Sequence, residues 1–471
     1  MPNETAATRI AAERDRLMTV AREIWEDPEL ALEEHASARR LAAVLEDAGF
    51  EVTHGVGGLE TAFVAEYGTG KPTIGILGEY DALPGLSQAV SAEREPIDPG
   101  GPGHGCGHNL FGTAAVGAAL GVAAAIAADE VPGTVRCYGC PAEETLVGKV
   151  FMARAGAFED LDAAVTWHPS DLARVQRGSS LALDSVEYTF HGRSAHAAAS
   201  PEAGRSALDA VQLMNTGAEY LREHIPEAAR IHYTITDGGD APNVVPDEAT
   251  VWYYVRAPTR GGVERVGDWL DDVAEGAATM TRTRLERQYV TGCYDFLVND
   301  VVADVLQTNI EAADPPDYDA DDRAFAADLQ ATFEEGAVPE RLAELPDDVA
   351  DRVRGESLFT EPVAPDEAGS DGSTDVGDVS WITPTAQIRG PTWPVGTPGH
   401  SWQAVAANGD FAIEAVPFVA TVLAGAVCDL LGDEDRLRAA QAAFAEATAG
   451  RDYTSPLPPD LDPPSGDGPD A

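Results

Sequence analysis

Apolar and polar positions change period several times along this chain, and each change marks an element. From residue 8 to residue 48 apolar side chains recur every three to four positions, which predicts one long amphipathic helix broken near Pro28. Glu51–Tyr67 alternates and then meets Gly68-Thr-Gly70, a hairpin pattern. Thr73–Leu77 is a short continuous apolar run, typical of a strand buried on both faces. It leads into the loop Gly78-Glu-Tyr-Asp-Ala-Leu-Pro84. Leu110–Ala128 reads as an apolar helix of small residues, Thr134–Cys140 as a strand, Glu143–Ala155 as a helix, and Ala163–Trp167 as a strand ending at His168-Pro169. This alternation predicts an α/β fold, a mixed sheet layered by helices, with ligands gathered at the C-terminal ends of the strands.

The texture changes after Arg177-Gly178-Ser179-Ser180. Strand patterns at Asp184–His191, Ala229–Asp237 and Glu248–Ala257 interleave with helical patterns at Ala203–His224 and Gly262–Thr281, and a last strand lies near 285–290. This α+β block is an inserted domain, residues 183–292. It separates two parts of a catalytic domain, residues 1–182 and 293–452. Residues 311–372 are acidic and loop-rich, a solvated face to which no chemistry is assigned. The tail, 453–471, is rich in Pro and Asp and is expected to be disordered.

Composition narrows the class. The net charge of −49 repels nucleic acid and anionic membranes. Only two of the 31 basic residues are Lys, at 71 and 149. The apolar periodicity is too regular for a disordered acidic chain, so the reading is a folded protein with a carboxylate-covered surface, suited to a halophilic cytoplasm. Molar salt screens such self-repulsion within ~3 Å. The expected result is a melting temperature that falls on desalting; equal melting in low and molar salt would refute it. No secretory signal precedes the first helix, and no run of 18 apolar residues exists, so no membrane span is expected. The five Cys are widely spaced, which argues against a disulfide framework. Cys137 and Cys140 point to opposite faces of their strand and are read as core residues.

The chemistry concentrates in Gly103-His-Gly-Cys-Gly-His-Asn109. A thiol and imidazoles in a glycine-rich loop suit Zn²⁺ or a similar transition metal, with Cys106 and His108 converging on one ion. Glu143-Glu144 follows a strand end, where one carboxylate can bind metal while its neighbour faces substrate. Taken alone, an acidic first helical turn, favoured by the helix dipole, explains that pair better than metal binding does. His168 at a strand end and His400 in a Gly/Pro loop are unremarkable singly. Jointly, a thiol, three imidazoles and a Glu pair at loops flanking predicted strands point to one metal centre.

With Gly78–Gly85, Pro141-Ala-Glu-Glu144, His191-Gly-Arg-Ser-Ala-His196, Pro242-Asn-Val-Val-Pro246, Gly372–Trp381 and Gly396–Trp402 added, the chain resembles the amidohydrolase branch of metallopeptidase family 20, the aminoacylase and glutamate carboxypeptidase superfamily. The motifs run in family order over roughly residues 10–430. The resemblance implies a zinc-peptidase-like catalytic domain with a ferredoxin-like lid and dimerisation domain. It implies Cys106, His108, Glu144, His168 and His400 as metal ligands, Glu143 as general base, and Asp81 as the residue orienting the site from behind. His196 would polarise the scissile carbonyl, from its own chain or across a dimer, and Asn243 and Arg256 would hold the substrate's carboxylate or carbonyl. The cofactor would be one or two divalent ions, Zn or Mn, with Co also fitting. The chain departs from many relatives in having Glu79 where they have the His of His-x-Asp, and His108-Asn109 where they have a bridging carboxylate. Imidazole bridges two ions poorly, which favours one ion over two. The implied substrate is a small amide: an N-acyl or N-aroyl amino acid of the aminobenzoyl-glutamate type, or alternatively a dipeptide or another acyl-amino acid. The implied assembly is a homodimer or higher oligomer. Two other classes remain open: a non-catalytic metal-bound member of a heteromeric hydrolase, and a structural zinc protein whose four protein ligands would leave no open position.

Overall fold

The computed structural model describes residues 3–464. Its strands are β1 (Glu51–His54), β2 (Phe63–Thr69), β3 (Thr73–Glu79), β4 (Gly133–Cys140), β5 (Ala163–Ser170), β6 (Arg174–Gln176), β7 (Ala182–His191), β8 (Arg230–Asp237), β9 (Glu248–Ala257), β10 (Arg284–Cys293) and β11 (Thr385–Pro391). Seven form one mixed sheet in the order β1-β2-β4-β3-β5-β11-β6. Its centre, β4, β3, β5 and β11, is parallel, and the flanking pairs are antiparallel. β3 is buried at every position, as its unbroken apolar run requires. The parallel strands all present their C-terminal ends to one edge, where Glu79, Pro141 and His168 lie.

Helices Glu4–Glu26, His108–Ala127 and Val416–Gly432 pack together on one face of this sheet. Small residues permit close approach: a Cβ on Gly117 would sit 3.0 Å from the Ala420 Cβ. The segments His108–Ala127 and Phe411–Gly432 are long and apolar enough to cross a bilayer, but each is mostly buried inside the fold. Cys137 packs into the core on this face and Cys140 into the core on the other, as strand alternation predicts.

β7–β10 form a separate antiparallel sheet in the order β10-β7-β9-β8, with helices Ala207–Leu221 and Arg260–Thr281 packed on it and on each other. The chain order βαββαβ is the ferredoxin-like split. The overall class is thus the expected mixed α/β sheet with an inserted α+β unit.

The first helical pattern breaks near Pro28 as expected, into the helices Glu4–Glu26 and His35–Asp47. Other local expectations are corrected. β2 does not pair with β3; β4 inserts between them, and the hairpin is β1–β2. The helix expected at Glu143–Ala155 covers only Gly148–Arg154. Residues 141–147 form a tight turn in which Ala142 and Leu146 take positive φ, so Glu143 and Glu144 are not a helix's acidic first turn. The acidic segment is more than a solvated face, because Ser370 and Gly372 line the cavity described below. The start of the tail is ordered: Leu457 is buried and Arg154 donates to the Pro458 carbonyl. The expectation of disorder over 465–471 lies outside the described residues.

Candidate metal centre

The glycine loop and three strand ends meet at one cavity of about 350 Å³. Gly107 takes a positive φ of 81°, where a Cβ would strike Pro169, and it launches the helix that begins at His108. Cys106 and His108 thereby face β5, and the Cys106 Sγ lies 3.2 Å from the His168 Nε2. The 141–147 turn is pinned from two sides. Glu34 accepts the Ala142 N–H at 2.8 Å, and Asp81 accepts the Glu144 N–H at 2.9 Å. His400, itself at positive φ, brings its Nε2 to 3.4 Å from the Glu144 carboxylate. Three of the chain's six described non-glycine positive-φ residues, Ala142, Leu146 and His400, therefore sit at this site.

The donor atoms fall into overlapping trios, each with its atoms within 4.8 Å of one another: Cys106, His108 and His168; Cys106, Glu144 and His400; Glu79, His108 and Glu143. Among the buried polar atoms without a hydrogen-bond partner are the His108 Nε2, Glu79 Oε2 and Glu144 Oε1, the Nε2 lying 3.3 Å from the first carboxylate oxygen and 4.0 Å from the second. Orphaned buried polar groups are costly and rare, and three converging on one point fit a cation. Asp81 Oδ1 lies 2.7 Å from the His108 Nδ1, which leaves Nε2 facing the trio. Burial pushes the Cys106 thiol up and the Glu144 carboxyl up to about 8. A divalent cation opposes both shifts by favouring the anions.

Behind this centre sits a pair of contacts that the motif reading missed. The Lys149 Nζ, fully buried, bridges Glu79 at 2.7 Å and Asp375 at 2.6 Å. Burial drives the Glu79 carboxyl up to about 8 although Lys149 opposes the shift, and Asp375 up to about 7. One signal was available: Lys149 is one of two lysines in a chain that otherwise uses Arg. Asn109 does not face the centre. Its amide donates to the Ala21 and Asn408 carbonyls and holds the loop to neighbouring helices. His104, the other imidazole of the loop, contacts the Ile24 carbonyl, and burial lowers its pKa to about 3.

The remaining sequence-selected residues divide. Arg256 lines the cavity and donates to the Ser373 hydroxyl at 2.9 Å. His196 and Asn243 do not line it within their own chain. They sit together in an exposed loop region of the inserted unit, where the Ala197 N–H donates to the Asn243 carbonyl. Glu143 lines the cavity, and its carboxylate makes no hydrogen bond among the described residues. Phe111, Trp393 and Tyr254 supply aromatic wall, and Gln176, Gln387 and Arg389 polar wall.

A largely buried S/N/O donor set beside an unbonded carboxylate, at the C-terminal ends of the parallel strands of a mixed sheet, is an arrangement suited to a metal-dependent hydrolase. Comparison with known proteins agrees. Residues 182–278 match the family model described as peptidase dimerisation domain. The chain is 41% identical to one of the subunits of p-aminobenzoyl-glutamate hydrolase from Escherichia coli (strain K12), over 96% of this chain and 97% of that protein. It is 35% identical to the Xaa-Arg dipeptidase of Mus musculus, over 59% of this chain and 63% of that one. Among solved structures, the aminobenzoyl-glutamate utilization protein from Klebsiella pneumoniae shares the fold at TM-score 0.57 and 20% identity, covering 86% of this chain and 96% of that one. The chain belongs to metallopeptidase family 20 and is a hydrolase of amide bonds.

Proposed function

We propose that the protein hydrolyses the amide bond of N-acyl or N-aroyl amino acids of the aminobenzoyl-glutamate type, with Glu143 as general base. The observation that carries this reading is the Glu143 carboxylate, which lines the cavity without a hydrogen bond among the described residues, next to the Cys106, His108, Glu144, His168 and His400 donors. A non-catalytic binding protein or a closed structural zinc site has no use for such a group. The full-length likeness to a hydrolase named for p-aminobenzoyl-glutamate supports the substrate class, as do the aromatic walls, which suit an aroyl group.

Cys106, His108, Glu144, His168 and His400 would hold one or two divalent ions, with Zn²⁺ and Mn²⁺ suited to the donor set and Co²⁺ also accommodated. Cys106 and His108 each belong to two of the trios, so both would serve whether one ion or two were held. When bound, the metal supplies a Lewis acid that lowers the pKa of water from ~16 toward ~7. Glu143 accepts the water's proton and delivers it to the departing nitrogen. Asp81 keeps His108 oriented by its 2.7 Å contact, and Arg256 offers its guanidinium to the product-side carboxylate. His196 and Asn243 would act in the cavity of a second copy. Leu213, Tyr220 and Trp269 on the inserted unit's helices, with Tyr233 and Ile235 on β8, leave apolar surface exposed for such pairing. A halophilic, cytoplasmic homodimer acting on a small amide, with neither nucleic acid nor membrane as partner, completes the proposal.

The test is a substrate panel in molar salt, with Zn²⁺, Mn²⁺ and Co²⁺ added in turn. Metal-dependent release of the amino acid from p-aminobenzoyl-glutamate or a related aroyl conjugate is expected. Dipeptides cleaved in preference to every aroyl conjugate would shift the substrate class. No turnover with any metal and substrate would leave the non-catalytic reading standing.

A further inference from the structure

β11 is buried along its length except at the half-buried Arg389, which lines both the catalytic cavity and a larger one of about 810 Å³ adjoining it. Parallel register sets Arg389 opposite His168 of β5. Its Nε and Nη2 both donate to the Gln176 Oε1, at 2.9 and 2.6 Å. Gln176 is itself fixed, its amide nitrogen donating to the Gly178 carbonyl. Among the described residues, a neutral amide oxygen is thus the only acceptor that the protein gives this guanidinium. Other enclosed arginines are treated differently. Arg174, Arg260 and Arg341 meet Asp366, Asp184 and Asp171 at 2.7, 2.6 and 2.7 Å. Enclosed charges are ordinarily paired, because desolvation costs more than a neutral hydrogen bond returns. In a chain with 80 acidic residues, Arg389 has no carboxylate within ion-pair distance among the described residues; Asp366, which lines the adjoining cavity and is held by Arg174, and Glu143 act on it only at longer range. The carboxylates of the cavity, Glu79, Glu143 and Glu144, form no ion pair with it and belong to the metal end. Gln387, two residues along the same face of β11, adds a further polar group to that wall.

We infer that Arg389, braced by Gln176, binds a second carboxylate of the substrate, and so selects acidic amino-acid conjugates. Arg256, on β9 across the same cavity, is left for the α-carboxylate. This rests on the reading that the substrate is an acylated amino acid, and it narrows that class to diacids such as glutamate conjugates.

The experiment compares p-aminobenzoyl-glutamate with p-aminobenzoyl-glutamine, a neutral isostere, in wild type and in Arg389→Gln. The wild type favours the glutamate conjugate in kcat/KM. Arg389→Gln lowers the ratio of the two by about 10²-fold, as expected for losing one partner of an enclosed charge pair. An unchanged ratio overturns the inference. If that unchanged ratio comes with an equal loss on both conjugates, Arg389 acts behind Cys106 and His168 instead of on the substrate. Calorimetric binding of free glutamate and glutamine to metal-loaded wild type needs neither turnover nor a variant that folds. At least tenfold tighter glutamate binding is expected, and equal affinities overturn the inference. Absent turnover with preferential glutamate binding would sink the hydrolase proposal and leave this one intact.

Discussion

Glu143→Ala is expected to retain metal and fold while turnover falls about 10³-fold, within the range that a positioned general base contributes. The expectation follows from what Glu143 does not do. Its carboxylate makes no hydrogen bond among the described residues, so truncation leaves no buried partner unsatisfied. The turn that carries it is held by backbone groups of its neighbours. Glu34 takes the Ala142 N–H, Asp81 takes the Glu144 N–H, and the Leu146 N–H closes on the Glu143 carbonyl at 2.8 Å. None of these depends on the Glu143 side chain. Metal content by mass spectrometry and steady-state kinetics in molar salt check the prediction together. Near-wild-type turnover would remove Glu143 from the mechanism; loss of metal would make it a ligand instead of a base.

Lys149→Met is expected to have the largest effect on stability, about 3–5 kcal/mol at pH 8 and above, where both carboxyls ionise, because removing one partner of a buried ion network leaves uncompensated charge. The Lys149 ammonium reaches Glu79 and Asp375 in a fully buried setting. Methionine fills the same volume without the charge. The sign of the pH dependence follows from the two carboxyls. Burial raises their native values to about 8 and about 7, above 4.5 and 3.8 for the free groups, even with Lys149 present. A carboxyl with a raised native pKa stabilises the fold at low pH, and that contribution is lost as pH rises through the native value. Without Lys149 both carboxyls shift further up. The loss in the variant is therefore smallest near pH 5, where both can be protonated, and grows toward pH 8. Denaturant unfolding of metal-free protein at the two pH values measures this. A variant equally stable as wild type at pH 8 would show that Lys149 is not the compensating charge.

Much of the site was legible because its signals are local. Cys106, His108, Glu144, His168 and His400 each lie in a short stretch where glycine, proline or a strand end advertises a loop, and the structure brings their donor atoms together. Asp81, read as standing behind the site, contacts the His108 Nδ1. The inserted unit was legible for the same reason, since period two and period 3.6 alternate cleanly across it. The turn at 141–147 was not, because an acidic pair before small residues has the composition of a helix start. The two left-handed residues that prevent a helix there, Ala142 and Leu146, carry no mark of it in their side chains.

The sequence by itself determined the order of elements, the mixed α/β class and the residues able to bind a cation, because periodicity, turn chemistry and donor type are properties of neighbouring residues. Tertiary structure alone decided which distant side chains share a water-poor space. Glu79, Lys149 and Asp375 stand far apart in the chain yet form one charge network, Asn109 turns from the centre to tie helices together, and Arg389 reaches the cavity with no carboxylate of its own. Electrostatic cost depends on distance and desolvation, which one linear sequence does not contain.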